Sequence, residues 1–286
     1  MAENDRENRV ALVTGGLRGL GKAMALGLAR EGHPVVAVGH IESDVAEMQA
    51  EAEKLQVGRR FHPLVADLRE LSECDRVVAA TRDRFGKVDI LVNSAGLTFT
   101  YIDPARFRRD SLQRFWQVDD EIIENVIITN YLAADRLARR VAPAMIEAGW
   151  GRIVNVTTKL DTMNRIGTHP YGASKAGLEM ATEVWAKDAE GTGMTVNIVN
   201  PGAGANTPGM AVEARALSEA GKMYLIEPEE MVGPMNFVAS READQVNGWR
   251  FDATFWNSAL PPREAAWLAG RPAGFVFHPH RDLPKT

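Results

Sequence analysis

One cysteine in 286 residues leaves no internal disulfide to staple this fold, and such scarcity suits a reducing compartment. Positive charge is not in excess either: 33 Lys+Arg face 38 Asp+Glu, a net charge of −5. With no large basic stripe to offset that balance, a general nucleic-acid binder is excluded. No uninterrupted apolar run approaches the roughly 18–20 residues that cross a bilayer. The opening MAENDRENR is polar, without a signal-peptide apolar region, so a soluble, cytoplasmic protein without a membrane partner is expected. The six histidines show no His-Glu-x-x-His spacing. His278 and His280 form a lone pair, so no metal site is expected. Cys74 lies in an apolar-periodic stretch and reads as a packed thiol.

What is present is an alternation. Short runs rich in Val and Ile at 10–14, 34–38, 61–65, 88–92, 152–156 and 195–199 predict buried strands. Between them, 20–30, 42–55, 72–85, 121–148 and 173–190 predict helices. Strands alternating with helices imply parallel pairing and right-handed crossovers. Strands apolar on both sides imply a sheet covered on both faces. The expected fold class is therefore α/β, a doubly wound Rossmann fold with a central parallel sheet. Ligands of such folds bind beyond the carboxyl ends of the strands. With neither internal repeat nor low-complexity linker, residues 1–286 are expected to form a single domain.

The first strand runs into Gly15-Gly-Leu-Arg-Gly-Leu-Gly21 and then a helix. Glycines there permit a sharp turn and let the backbone approach a pyrophosphate at the helix N-terminus. The place of that turn, after the first strand and before the first helix, makes Gly15, Gly19, Leu20 and Gly21 candidate cofactor contacts. An acidic residue at the end of the second strand would hold the ribose hydroxyls of NAD, but Gly39 and His40 stand there. Arg18, inside the glycine loop, has a fork suited to a 2′-phosphate. NADP(H) is thus preferred. NAD(H) stays possible because Glu42 is close by and Arg18 could equally be a solvated loop charge.

Tyr171 and Lys175 share a helix face at i and i+4. A nearby ammonium favours phenolate and lowers a tyrosine pKa from about 10, and a phenol so tuned can exchange a proton with a carbonyl or alcohol oxygen. Alone, the pair is as common as any surface pair. It gains weight from following a dinucleotide loop by about 150 residues.

In order and spacing, the segment from Thr14 to Gly21, Asp67-Leu68, Asn93-Ser-Ala-Gly96, Asn130, Tyr171-x-x-x-Lys175 and Pro201-Gly202 resemble the short-chain dehydrogenase/reductase family. The likeness is to its single-domain carbonyl and 3-oxoacyl reductases, and it covers about residues 9–253. It implies that Asp67 caps the adenine beside Leu68, and that Asn93, Ala95 and Gly96 line the cofactor floor. Ser94 departs mildly from the second asparagine usual there. The resemblance also implies that Asn130 supports a proton-relay water, that Lys175 binds the nicotinamide ribose, and that Pro201 and Gly202 sit against the nicotinamide. Thr207 resembles a carboxamide contact at a spacing one residue long. Thirteen residues before the tyrosine, Thr158 replaces the family's substrate-orienting serine. It keeps the hydroxyl but adds a methyl and a stiffer χ1.

The implied function is NAD(P)(H)-dependent interconversion of a ketone or aldehyde and an alcohol. Tyr171, Lys175, Thr158 and Asn130 are its catalytic group, and the partners are a small carbonyl substrate and further copies in a homodimer or homotetramer. Two alternatives stay open: an isomerase or lyase using the nucleotide transiently, and a nucleotide-binding regulator without turnover. Lys159, Asp161, Asn164 and His169 are candidate polar contacts, and 202–222 resembles a mobile substrate loop. Three arginines at 106, 108 and 109 either meet an acidic substrate or form a solvated face, the latter being the default. The extension 254–286 is aromatic; seven of the chain's twenty aromatics fall from Trp249 onward. Such a tail should pack on its own subunit, on a neighbour or over the active site.

Overall fold

A computed structural model describes residues 9–108 and 110–275. In chain order it forms β1 (Ala11–Thr14), α1 (Gly19–Arg30), β2 (Val35–Gly39), α2 (Ser43–Lys54), β3 (Phe61–Val65), α3 (Leu71–Phe85) and β4 (Ile90–Asn93). Then follow α4 (Asp120–Ile127), α5 (Ala133–Glu147), β5 (Gly151–Asn155), α6 (Tyr171–Asp188) and β6 (Met194–Asn200). The last third holds β7 (Gly204–Ala205), α7 (Val212–Glu219), β8 (Leu225–Ile226), α8 (Val232–Ala239), β9 (Trp249–Asp252), α9 (Pro262–Ala269) and β10 (Gly270–Pro272).

Eight strands make one sheet in the order β10-β9-β6-β5-β4-β1-β2-β3, parallel throughout except for the antiparallel β9–β10 pair. The chain winds outward from β1 to β3 and then returns to β4 on the other side of β1. That reversal parts the loops leaving β1 and β4 and opens the crevice of a doubly wound sheet. The register aligns Val38, Thr14, Asn93 and Asn155 in a row at the strands' carboxyl ends.

Alternate residues of each strand feed two core layers, as the period of two requires. Ala11 and Val13 join Met24 and Leu28 of α1 and Met235 and Val238 of α8. Leu12 joins the opposite layer with Val77 of α3 and Leu137 and Val141 of α5. Val36 also joins that second layer, while Val35 and Ala37 turn to the first. The edge strand β3 is only partly covered and accommodates Pro63, a residue confined to edges because it cannot donate to a ladder.

Two features depart from the sequence-based expectation. The stretch 121–148 is broken by a π-helical turn, Ile128–Leu132, between α4 and α5. Such turns add one residue to the ladder without disturbing its apolar stripe, and they gather at functional sites; this one carries Asn130. The sheet also continues past β6 into β9 and β10, so Trp249, Phe251 and Trp256 pack on their own subunit, while Phe255 and Trp267 are exposed. Trp256 lies 5.9 Å from Phe237 and fills the space beside Gly233, where a Cβ would stand 2.3 Å from its indole nitrogen. Residues 276–286, with His278 and His280, lie outside the described residues, as does Arg109.

Candidate active site

The crevice is a cleft of about 630 Å³, within the roughly 300–1,000 Å³ range of small-molecule sites. At its floor the Thr14 hydroxyl accepts the N–H groups of Ser94 and Ala95, both at 3.1 Å, and donates to the Val92 carbonyl at 3.3 Å. One hydroxyl thereby ties the loop after β1 to the loop after β4. Gly15 (φ +64°) passes so close that a Cβ would stand 2.9 Å from the Ala95 backbone, and a Cβ on Gly21 would lie 2.1 Å from the Gly15 carbonyl oxygen. Helix α1 starts with no side-chain cap and no acidic residue in its first turn. Its first residues, Gly19, Leu20 and Gly21, border the cleft. An uncapped, positive helix end at a glycine turn fits a dinucleotide's diphosphate.

Beside the glycine turn the structure adds a partner that sequence reading missed. Arg18 borders the cleft, and its fork is held by Asp44, at 2.7 Å from Nε and 3.0 Å from the other nitrogen. Asp44 itself borders the cleft, whereas Glu42 does not. Nothing local signals this contact, because Asp44 lies 26 residues along the chain. His40, Asp67 and Leu68 also border the cleft. The Asp67 carboxylate is gripped by Arg69 at 2.6 and 3.0 Å, which holds its pKa below the usual carboxylate value.

Tyr171 opens α6 with Lys175 one turn on, and both border the cleft together with Thr158. The Thr158 hydroxyl beside the phenol pulls its pKa down, but burial is the larger effect and raises it. Lys175, 4% exposed, donates to the Val156 carbonyl at 2.8 Å, and burial pushes its pKa down to about 8. The expected lowering of the tyrosine by the lysine is therefore not what dominates here. Desolvation disfavours the charged form of each group and moves both toward neutrality.

Three expected residues, Asn130, Asn93 and Gly202, stand behind the cleft and do not border it. Asn130, 1% exposed, clamps the turn after β4: its oxygen accepts the Leu97 N–H at 2.7 Å, and its amide donates to the Leu97 carbonyl at 3.1 Å and the Ser174 hydroxyl at 3.0 Å. Asn93 donates to Asn155 at 2.9 Å, and Asn155 to Thr182 at 2.8 Å, so Asn93 braces the sheet. Gly202 (φ +73°) sits where a Cβ would be 2.2 Å from the Thr254 hydroxyl, while its neighbour Pro201 borders the cleft. Thr158 borders the cleft and is anchored from behind through its own carbonyl. Ala95, Gly96 and Thr207 border the cleft, and Thr207 packs against Gly19, 3.2 Å from where a Cβ would be.

Beneath Thr158 lies a buried ion network that no motif in the sequence singles out. Arg250 and Glu179 are both 0% exposed side chains and pair at 2.9 Å. Arg250 also donates to the Thr158 carbonyl at 3.1 Å and to Asp252 at 2.9 Å. Glu179 accepts from the Thr157 hydroxyl at 3.0 Å and from the Gly274 N–H at 3.2 Å. Asp252 continues to Asn200, whose oxygen accepts the Gly202 N–H at 2.9 Å. The tail, the Thr158 strand end and the Pro201-Gly202 turn are thus joined through charged groups.

Around the mouth, Thr98 and Thr100 both donate to the Gly209 carbonyl, at 3.2 and 2.8 Å, and Arg108 pairs with Glu213 at 2.6 Å. The segment 202–222 is therefore folded down onto the loop after β4. Lys159 and Asp161 pair with each other at 3.1 Å in solvent. Neither they nor Asn164 and His169 border the cleft; Thr162 and Arg165 do. Among the described residues no three His, Cys, Asp or Glu side chains gather as a metal site. No helix among them is long and apolar enough to cross a membrane. Cys74 is buried and its pKa is pushed up to about 11 by burial.

A doubly wound sheet with a glycine turn at its switch point and a tyrosine–lysine helix beyond it defines a dinucleotide-dependent oxidoreductase scaffold. Residues 9–216 match the family described as short chain dehydrogenase, and the chain belongs to that family. It is 32% identical over 251 residues to 2-dehydro-3-deoxy-D-gluconate 5-dehydrogenase of Escherichia coli, covering 85% of this chain and 92% of that protein. It is 33% identical over 236 residues to 3-oxoacyl-(acyl-carrier-protein) reductase of Synechocystis sp., covering 82% and 90%. Among solved structures, an actinorhodin polyketide ketoreductase with NADPH superposes with a TM-score of 0.71 at 27% identity, covering 86% of this chain and 95% of that one.

Proposed function

We propose that this protein is a carbonyl reductase that takes NADPH in preference to NADH and uses Tyr171 as its acid. The observation that carries this is the convergence of Tyr171, Lys175 and Thr158 on a cleft whose other end is the uncapped start of α1. A bound nicotinamide supplies a hydride to the carbonyl carbon. The chain's own residues do the rest. Thr158 and Tyr171 hydrogen-bond the carbonyl oxygen, Tyr171 passes its proton to the forming alkoxide and becomes a phenolate, and Lys175 holds the ribose and stabilises that phenolate with its ammonium. A phenol kept protonated by burial is in the right state to donate. Asn130 fixes the loop after β4 and the start of α6 and supports the path by which Tyr171 regains a proton.

NADPH is favoured by Arg18 and His40 at the ribose end and by Gly39 where an acid would select NADH. Asp44 competes with a 2′-phosphate for the Arg18 fork, so NADH remains usable. Exposed Leu132, Ile146 and Val184 on the π turn, α5 and α6 support assembly of two or four copies. Direct titration with NADPH and NADH, followed by a panel of ketones and aldehydes, tests the proposal. Tighter NADPH binding that is lost in Arg18→Ala, with oxidation by a member of the panel, is the expected result. Tight binding without turnover supports instead the isomerase or regulator alternative, and binding of neither cofactor overturns all three.

A further inference from the structure

The acidic residues that border the cleft, among those described, are Asp44 and Asp67, and arginines hold both at the adenosine end. Beyond Tyr171 the border is cationic and aromatic. The Phe99 ring lies 4.7 Å from the Tyr171 ring, and the Arg106 guanidinium lies 4.6 Å from the centre of the Phe99 ring. Arg106 is half-buried and donates to the Gly167 carbonyl. Arg165 borders the same end, more exposed, and donates to the Thr162 hydroxyl at 3.2 Å. Among the described residues, no carboxylate pairs with either guanidinium. The two repel each other: burial first, and then Arg165, lowers the Arg106 pKa, and the field of Asp103 only attenuates this.

A guanidinium has five N–H donors, and one neutral acceptor satisfies few of them. Two such forks bordering the same cleft, held by neutral acceptors beside an aromatic spacer, favour an oxyanion in reach of both. We propose that the carbonyl substrate carries an oxyanion group, a carboxylate or a phosphate, received by Arg106 and Arg165 while its carbonyl meets Thr158 and Tyr171. Phe99 then packs along the carbon chain between the two ends. The two ring distances place the Arg106 guanidinium carbon within about 10 Å of the Tyr171 ring centre, so the substrate is small, with a few bonds between anion and carbonyl. This assignment rests on the reductase proposal for the reaction itself, but not for the binding of the anion.

The test compares charged compounds with neutral partners of the same skeleton. The carboxylate arm uses 3-oxobutanoate, 4-oxopentanoate and 5-oxohexanoate against their methyl esters. The phosphate arm uses dihydroxyacetone phosphate against dihydroxyacetone. Binding is measured by calorimetry with the oxidised cofactor saturating, and kcat/KM with the reduced cofactor. The charged member of at least one pair should win by roughly tenfold or more in both measurements, as charge-assisted hydrogen bonds require. That preference should collapse toward one in Arg165→Gln and in Arg106→Lys, which keeps the charge but loses the fork, with unchanged melting temperatures verifying the fold. The winning arm identifies carboxylate or phosphate. Equal binding within every pair, a preference for the neutral members, or binding of none overturns the assignment. Preferential binding of a charged member with no turnover upholds the cationic wall and refutes the reductase reaction.

Discussion

Removing the Arg250 side chain should harm this protein more than any other single change in its core. In Arg250→Met the Glu179 and Asp252 carboxylates, at 2.9 Å each, both lose their counter-charge, and Glu179 is wholly buried. The Thr158 carbonyl loses a donor as well. Breaking a buried pair by deleting one partner costs about 3–5 kcal/mol, and at roughly 2–4 °C per kcal/mol for a chain of this size the melting temperature should fall by on the order of 10 °C. Glu179→Leu should cost less, because Arg250 keeps Asp252. The double variant should recover much of the loss, since two buried charges are replaced by apolar groups together. Urea denaturation of the four proteins gives the coupling energy. A loss below about 1 kcal/mol for Arg250→Met with no coupling would refute the claim that this network holds the Thr158 strand end.

Other perturbations have separate expectations. Gly21→Ala would bring a Cβ to 2.1 Å from the Gly15 oxygen, so the turn cannot close as it does. Cofactor affinity by fluorescence titration should fall at least about tenfold. Thr158→Ala should lower kcat/KM by about 10²-fold by removing a hydrogen-bond donor to the carbonyl oxygen, whereas Thr158→Ser should retain most of it; an unchanged Thr158→Ala removes this residue from the mechanism. Lys175 has a folded pKa of about 8 against 10.5 unfolded, so the unfolded state binds more protons between those values. Stability should therefore rise with pH across roughly pH 8–10.5, by on the order of 3 kcal/mol from this group, and the penalty of burying the charge is fully present below pH 8. Melting curves of wild type and Lys175→Met over that range should converge as pH rises, and parallel curves would contradict the burial argument.

The central strands and the glycine turn were legible in the sequence because their signals are local. Val-rich runs of four to six residues punctuated by Gly and Pro have few other readings, and Gly15 to Gly21 follows such a run directly. The π turn was not legible, since one extra residue in a long helix leaves the apolar stripe on both sides intact. Asp44 and the Arg250–Glu179 pair were missed for a different reason. A lone charged residue in sequence reads as solvated surface, and only the three-dimensional approach of residues 26 and 71 positions apart reveals otherwise. The same reasoning separates the arginines of the 106–109 segment: Arg108 pairs with Glu213 in solvent, whereas Arg106 turns to the cleft.

The most direct test of the whole account is the pairing of two readouts on Tyr171→Phe: NADPH affinity by titration, and the rate of NADPH oxidation with a carbonyl compound that the wild type reduces. The phenylalanine keeps the ring against Phe99 and removes only the hydroxyl. The account predicts affinity within about threefold of wild type and a rate lower by roughly 10²–10⁴-fold, the share of barrier lowering a positioned acid supplies. A Tyr171→Phe enzyme that oxidises NADPH at close to the wild-type rate would contradict the assignment of the proton to Tyr171.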